Sequence, residues 1–107
     1  MATAFRIHAD DNVATLLDDA EAGEAIEVRG GDGVLPAAEP IALGHKVALQ
    51  TIREDQVVVK FGVAIGTASR AIRAGEWVHL HNCRSDFDER SGGFDLATGA
   101  ARDVRYD

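Results

Sequence analysis

The stretch IRAGEWVHLHN, residues 72–82, sets the pattern on which the fold prediction rests. After Gly75, side chains of different character alternate, so that one face of a β-strand would carry Trp77, His79 and His81. The glycine supplies a turn, and the alternating run that follows it supplies a strand with one buried side. The stretch therefore predicts a short strand, entered through a tight turn, with two imidazoles on the same face.

A similar arrangement occurs at two earlier places in the chain. AEAGEAIEV at residues 20–28 and IALGHKVAL at 41–49 each place a glycine before a run of alternating apolar residues. QVVVKFG at 56–62 is rich in β-branched residues and predicts a further strand. The segment that follows, at 63–72, contains a glycine that argues against a long helix, so we expect extended or turn structure there.

One helix is predicted, over residues 12–20. Asp10 or Asp11 can cap it by accepting backbone N–H bonds, and Gly23 is placed to end it. Before it, a short strand is predicted to end at His8. The apolar residues that would form one face of the helix are Val13, Leu16, Leu17 and Ala20. The predicted fold is therefore a single, mainly β domain with one short helix.

Two segments are predicted to connect or to extend this domain. Residues 30–40 contain several glycines and two prolines, which is typical of a loop. We assign residues 1–83 to the folded domain and residues 84–107 to a C-terminal tail. The tail is charged, and its apolar residues are scattered without the regular spacing of a helix or a strand. Two hypotheses fit it: a disordered segment, or an arm that becomes ordered against a partner.

Composition excludes several classes of protein. The chain has 107 residues, which matches one domain, and 18 acidic side chains against 11 basic ones give a net charge of -7. That charge would repel a phosphate backbone, and the basic residues are spread along the chain, so we expect no nucleic-acid partner. No apolar run is long enough for a membrane helix, and the N-terminus has no secretory pattern. We expect a cytoplasmic protein.

Cys83 is the single cysteine, so no disulfide can form within the chain. It continues the alternation of His79 and His81, and a strand of that length would place all three on one face as a zinc set lacking a fourth ligand. The alternative is a thiol that packs as a small hydrophobic side chain. The second interpretation is favoured, because one short strand rarely supplies three ligands.

Four blocks occur in this order and spacing: IHADDNVATLL, PIALGHKVAL, VVKFGVAIGTA and IRAGEWVHLHN. They resemble the N-terminal SAF-type domain of the altronate dehydratase and galactarate dehydratase family. The resemblance covers about residues 5–82, and four separate blocks make chance agreement improbable. It implies a β-clip fold of short strands and long loops. The small subunit of sulfolactate sulfo-lyase is similar as well.

The resemblance implies a role in elimination chemistry on a sugar acid or a related hydroxycarboxylate. We expect the small subunit of a two-component hydro-lyase, inactive without a large catalytic subunit that holds most of the catalytic groups. A divalent metal, iron or manganese, is implied by the family and would be held mainly by that partner. A homo-oligomer is also conceivable. The alternative hypothesis is a non-catalytic SAF-type binding or assembly module.

Five polar residues are candidates for substrate contact, and each also has a structural explanation; catalytic residues and metal ligands are not assigned. His45 follows a glycine turn and could instead bond a loop backbone, while its neighbour Lys46 is expected to be a solvated charge. The histidines after Trp77 could instead form a packed face, and the histidine near the predicted helix could simply end a strand. The five candidates are His8, His45, His79, His81 and Asn82.

Overall fold

The computed structural model describes residues 1–31 and 33–85, and in these residues the chain folds into short β-strands without a helix. The predicted tail lies outside the described residues apart from its first two. The strands are β1 (Ala2–Phe5), β2 (Val13–Leu16), β3 (Ala25–Arg29), β4 (Val34–Pro36), β5 (Lys46–Ala48), β6 (Val57–Lys60), β7 (Val63–Ala68), β8 (Trp77–Val78) and β9 (Cys83–Arg84).

The strands form two sheets. The larger has six strands in the order β4-β3-β1-β2-β5-β8, and the smaller has three in the order β6-β7-β9. Strands β1 and β3 are parallel, whereas the other pairs are antiparallel. Crossover from β1 to β3 therefore places β1 at the centre of the larger sheet, between β2 and β3. This architecture confirms a mainly β, single-domain fold of the β-clip type.

Apolar side chains are buried on both faces of the larger sheet. In β2 and β5, neighbouring residues point to opposite faces, so that Leu16 and Val47 enter one core and Val13 and Ala48 enter the other. The first core also contains apolar residues of β1 and β3. The second contains residues of the smaller sheet, including Val58, and joins the two sheets. Burial on both faces explains why the central strands are almost continuously apolar.

The predicted helix over residues 12–20 was wrong. The structure forms β2 at Val13–Leu16, which pairs with β1 on one side and β5 on the other. A run that is buried on both sides has the same apolar content as a helical face, and periodicity alone does not separate the two. The aspartates that follow the strand accept backbone N–H bonds instead: Asp18 from Thr3 of β1, at 3.0 Å, and Asp19 from Leu43, at 2.8 Å.

Other boundaries also differ from the prediction. The strand after Gly75 ends at Val78, because residues 79–82 form a turn. The predicted loop 30–40 contains β4, which extends the edge of the larger sheet. Lys46 is not solvated: it is only 7% exposed, in β5 between β2 and β8. The described residues contain no helix long and apolar enough to cross a bilayer.

Asp11 joins the N-terminal loop to the β6–β7 hairpin. Its carboxylate accepts N–H bonds from His8 at 3.1 Å, from Ile7 at 3.3 Å and from Gly62 at 2.7 Å. The neighbouring Asn12 bonds the backbone of β6 through both ends of its amide. The capping chemistry predicted for this position is therefore present, but it closes a loop onto a hairpin rather than starting a helix.

A stability difference that depends on pH is expected at Asp11. Burial raises the pKa of its carboxyl, but N–H bonds from Gly62 and the loop backbone outweigh burial and hold the pKa below its ordinary value of 3.8. A pKa lower in the folded than in the unfolded chain stabilises the fold at neutral pH, and this contribution disappears as pH falls through the folded pKa. Asp11→Asn should cost about 1–3 kcal/mol at neutral pH.

Urea unfolding measured from about pH 7 to about pH 2 tests this expectation. The difference in unfolding free energy between the natural chain and Asp11→Asn should shrink as the pH falls. Asp10→Asn is the matched control, because Asp10 is exposed and adjacent in sequence. A difference for Asp11→Asn that stays constant across this range would contradict the assigned role of the carboxylate.

Candidate functional site

Three imidazoles surround the indole of Trp77, and we call these four residues the histidine–tryptophan cluster: His45, Trp77, His79 and His81. His45 immediately precedes β5, while Trp77 begins β8. Because β5 and β8 pair antiparallel with Val47 opposite Trp77, the same register places His45 opposite His79. The cluster thus depends on the pairing of β5 with β8, in which the paired residues Val47 and Trp77 are 30 positions apart in the sequence.

Ring contacts hold the cluster together. The ring of His79 stacks on Trp77 at 5.2 Å between centroids, with an interplanar angle of 11°. His81 lies at 4.8 Å from the indole, and His45 at 5.5 Å in an edge-to-face arrangement. The rings of His45 and His79 are 5.4 Å apart. Both predicted strand histidines therefore lie against Trp77, although the strand itself ends before them.

A hydrogen bond defines the state of His45. The indole Nε1–H of Trp77 donates to Nδ1 of His45 at 3.1 Å. A nitrogen that accepts carries no proton, so neutral His45 has its proton on Nε2 and presents it as a donor. Trp77 therefore determines which hydrogen-bonding group His45 offers to a ligand.

A surface cleft of about 550 Å³ adjoins the cluster. His45 and Trp77 form part of its wall, together with Ala42 and the carboxylates of Asp19 and Glu21. The cleft lies between the segment after β2 and the turn before β5. Its charged groups are acidic, so an anion bound here by this chain alone would be repelled by the rim unless another group supplied positive charge.

The side chain of Asn82 bonds the backbone of the cluster. It is 1% exposed, and its side chain accepts the N–H of His79 at 2.9 Å and donates to the carbonyl of Trp77 at 2.8 Å. Glu39 accepts the N–H of Trp77 at 3.0 Å. Both side chains therefore hold the backbone that carries the imidazoles. Direct contact between Asn82 and a substrate stays a prediction.

His8 lies elsewhere, against the turn of the β6–β7 hairpin. Its Nδ1 accepts the N–H of Asp10 at 3.1 Å, and its ring lies so close that a Cβ added at Gly62 would be 2.8 Å away. It is exposed. The structure thus brings together three of the four predicted histidines and places His8 with the loop that Asp11 closes.

Cys83 packs in the second core at 8% exposure, beside the smaller sheet. Among residues 1–31 and 33–85, no group of three or more histidine, cysteine, aspartate or glutamate side chains is arranged to hold a metal ion. The His-x-His-x-Cys zinc set is therefore not formed in this part of the chain.

Sequence reasoning missed the acidic wall of the cleft and the part played by Glu39. No local sequence pattern indicates the acidic wall or the role of Glu39, because the segments that carry Asp19, Glu39 and Trp77 come together only when the chain folds. One signal was available for His45. In the three glycine blocks, the residue after the glycine is Glu24, His45 and Glu76, so the histidine departs from an otherwise acidic position.

Comparison with known proteins adds a family match. Residues 2–86 match the model of the altronate/galactarate dehydratase SAF domain. Altronate dehydratase of Bacillus subtilis is 37% identical over 89 residues, which are 83% of this chain and 18% of that protein. Galactarate dehydratase (L-threo-forming) of Escherichia coli is 41% identical over 78 residues, 71% of this chain and 14% of its own. The chain spans about a fifth of the altronate dehydratases it matches.

A further relative is a much shorter protein, which this chain matches over nearly its whole length. The (2R)-sulfolactate sulfo-lyase subunit alpha of Chromohalobacter salexigens is 36% identical over 91 residues. The match covers 79% of this chain and 97% of that subunit. The same kind of domain is thus found both within much longer dehydratases and as a subunit of a lyase.

Proposed function

Because the chain belongs to the altronate/galactarate dehydratase SAF domain family, we propose that it is the small subunit of a two-component lyase. The substrate would be a sugar acid or a related hydroxycarboxylate, and the reaction a β-elimination of water. The observation that carries the proposal is the match to nearly the whole of a lyase subunit alpha. A cytoplasmic location belongs to the same proposal, as expected from the composition.

The shape and charge of the candidate site support a division of work between two subunits. β-Elimination requires a base next to the carboxylate, a positive centre for the developing enolate and an acid for the leaving hydroxyl. The cleft offers the imidazole of His45, which can donate or accept a proton, but its rim is acidic through Asp19 and Glu21. We therefore assign the positive centre to the partner subunit.

In the proposed complex, the large subunit covers the cleft and supplies this positive charge. Metal or basic side chains of the partner would neutralise the substrate carboxylate, and closure would exclude water from the site. His45, with its proton on Nε2, would donate to a substrate oxygen. His79 and His81 would line the same surface and contact the substrate or the partner.

Reconstitution with the large subunit tests the proposal. The full chain is purified from its native host by an affinity tag, proteins that stay bound are identified, and the complex is assayed against a panel of sugar acids. We expect dehydration by the mixture and none by either component alone. In the mixture, His45→Ala and His79→Ala should each lower the rate by roughly 10- to 100-fold, while Leu80→Ala, at an exposed position of the same turn, should not.

Two results would reject this proposal. Full activity of the 107-residue chain alone would remove the need for a second subunit. Recovery of the chain without any lyase subunit, together with inactivity on every acid of the panel, would favour the alternative of a binding or assembly module.

A further inference from the structure

The chain repeats one closed turn before four of its strands. In each, the third residue has a left-handed backbone, with φ of 84° at Gly23, 87° at Gly44, 71° at Asp55 and 91° at Gly75. The fourth residue donates its N–H to the carbonyl of the first, at 2.9–3.1 Å. These four turns have the same backbone form, so their side chains can be compared position by position.

Three of the turns are closed a second time by a side chain. The N–H of the first residue donates to a carboxylate or amide oxygen of the fourth: Glu24 at 2.9 Å, Gln56 at 2.9 Å and Glu76 at 3.1 Å. A carboxylate is therefore a group that this N–H binds well in this turn. The three turns therefore show which acceptor groups fit the N–H of the first residue.

The turn at residues 42–45 differs. Its fourth residue is His45, whose Nδ1 bonds the indole of Trp77 instead of the first residue of its own turn. Its first residue is Ala42, and among the described residues no acceptor takes the N–H of Ala42. Ala42 and His45 both line the cleft. In this turn, which lines the cleft, the donor that the other three turns use to hold an oxygen of their own side chain therefore has no acceptor among the described residues.

We propose that the turn at residues 42–45 is a carboxylate subsite. A ligand carboxylate would accept the N–H of Ala42, taking the place that Glu24, Gln56 or Glu76 occupies in the other turns. The proton on Nε2 of His45, a residue lining the same cleft, is the second donor available to it. This inference deepens the proposed function by naming the chain's contact with the carboxylate of a hydroxy acid, and so it rests on that function.

The acidic rim limits how tightly the isolated chain binds. Asp19 already accepts the N–H of Leu43, next to Ala42 in the same turn, and Glu21 lies across the cleft. Their charges repel a second carboxylate. Weak binding by this chain alone is therefore expected, and the subsite contributes selectivity for a carboxylate more than overall affinity.

Variants at His45 separate the two donors. His45→Gln and His45→Glu introduce the very side chains that close the other turns, so they should bond the N–H of Ala42 internally and exclude the ligand. His45→Ala removes the imidazole but leaves that N–H accessible. Because Gln and Glu occur at this position in the chain's own turns, we expect the first two variants to keep the turn and to fold, although Trp77 loses the acceptor of its indole N–H.

Nuclear magnetic resonance of the full, 15N-labelled chain provides the readout. Tartrate is the probe, and erythritol, which has the same carbon number without carboxylates, is the control. We expect tartrate to move the Ala42 amide proton downfield in a saturable way in the natural chain and in His45→Ala. In His45→Gln and His45→Glu the affinity should fall by at least about tenfold, as expected for loss of a charge-assisted bond.

Each result is decisive. Binding of tartrate to His45→Gln with natural affinity, no shift of the Ala42 amide in the natural chain, or an equal response to erythritol would overturn the subsite. Loss of binding in His45→Ala with its fold intact would do so as well, because the imidazole alone would then explain recognition. Activity of the two-subunit mixture is a separate measurement, so the subsite can fail while the proposed function stands.

Discussion

Replacing Gly75 by alanine is expected to lower the free energy of unfolding by about 3 kcal/mol. Gly75 has φ of 91°, a left-handed conformation that strains any residue with a Cβ. Beyond this strain, the new Cβ would lie 2.4 Å from the carbonyl oxygen of Pro36 and 3.2 Å from the backbone nitrogen of Ala38. Both neighbours are backbone atoms, so the turn itself would have to move.

That movement should reach the candidate site. The N–H of Gly75 donates to Ala48 of β5, and its carbonyl accepts the N–H of Ala38, both at 2.8 Å. Trp77 follows two residues later, and its fluorescence reports on the cluster without labelling because it is the single tryptophan. Urea unfolding and emission spectra of Gly75→Ala should therefore show lower stability together with a shifted Trp77 signal.

Gly23→Ala is the matched control for this substitution. Gly23 occupies the equivalent turn position with φ of 84°, but an added Cβ there has nothing within 4 Å. Only the backbone strain remains, so we expect a loss of about 1 kcal/mol and an unchanged Trp77 spectrum. Equal losses at the two glycines would show that the close approach of Pro36 has no energetic consequence.

Asn82→Ala is the second substitution with a large expected effect, a loss of about 2–4 kcal/mol. The change removes both hydrogen bonds of a fully buried amide, leaving the N–H of His79 and the carbonyl of Trp77 without these partners, and it also opens a cavity. Because the turn that carries His79 and His81 would lose its internal support, activity in the two-subunit assay should fall along with stability. Urea unfolding gives the first quantity and the assay gives the second.

Asn82→Asp refines this expectation, and Leu80→Ala controls it. The aspartate keeps an oxygen for the N–H of His79 but brings a second oxygen against the carbonyl of Trp77, so it should remain destabilising although its shape is conserved. Leu80 is 74% exposed in the same turn, and its truncation should change stability by no more than about 0.5 kcal/mol. If Asn82→Ala were as stable as Leu80→Ala, the amide could not be what supports the turn.

Much of the fold was predictable where a local rule decides the structure. Turns at Gly23, Gly44 and Gly75 follow from a residue that tolerates a left-handed backbone, and the strand after each follows from alternation. A fourth turn of the same form was not identified, because Asp55 takes the left-handed position there in place of glycine. The helix prediction failed at residues 12–20, since a strand buried on both faces shows no alternation.

The candidate site was predictable in part. His45, His79 and His81 were identified from the blocks that carry the family resemblance, and the structure places all three around Trp77. Their shared location depends on the pairing of β5 with β8, which no local pattern encodes. The same holds for the bond from Trp77 to His45 and for the acidic rim. Asn82 is bonded to the backbone of the cluster, and its contact with a substrate stays a prediction.

The sequence by itself determined the family, the β character and the positions of three turns, because glycine placement and side-chain alternation act over a few residues. Tertiary structure alone decided that Val13–Leu16 is a strand and that His45 faces Trp77. It also decided that Ala42 and His45 line the same cleft. These outcomes arise from hydrogen bonds and burial between segments far apart in the chain, where the free energy of contact outweighs local preference.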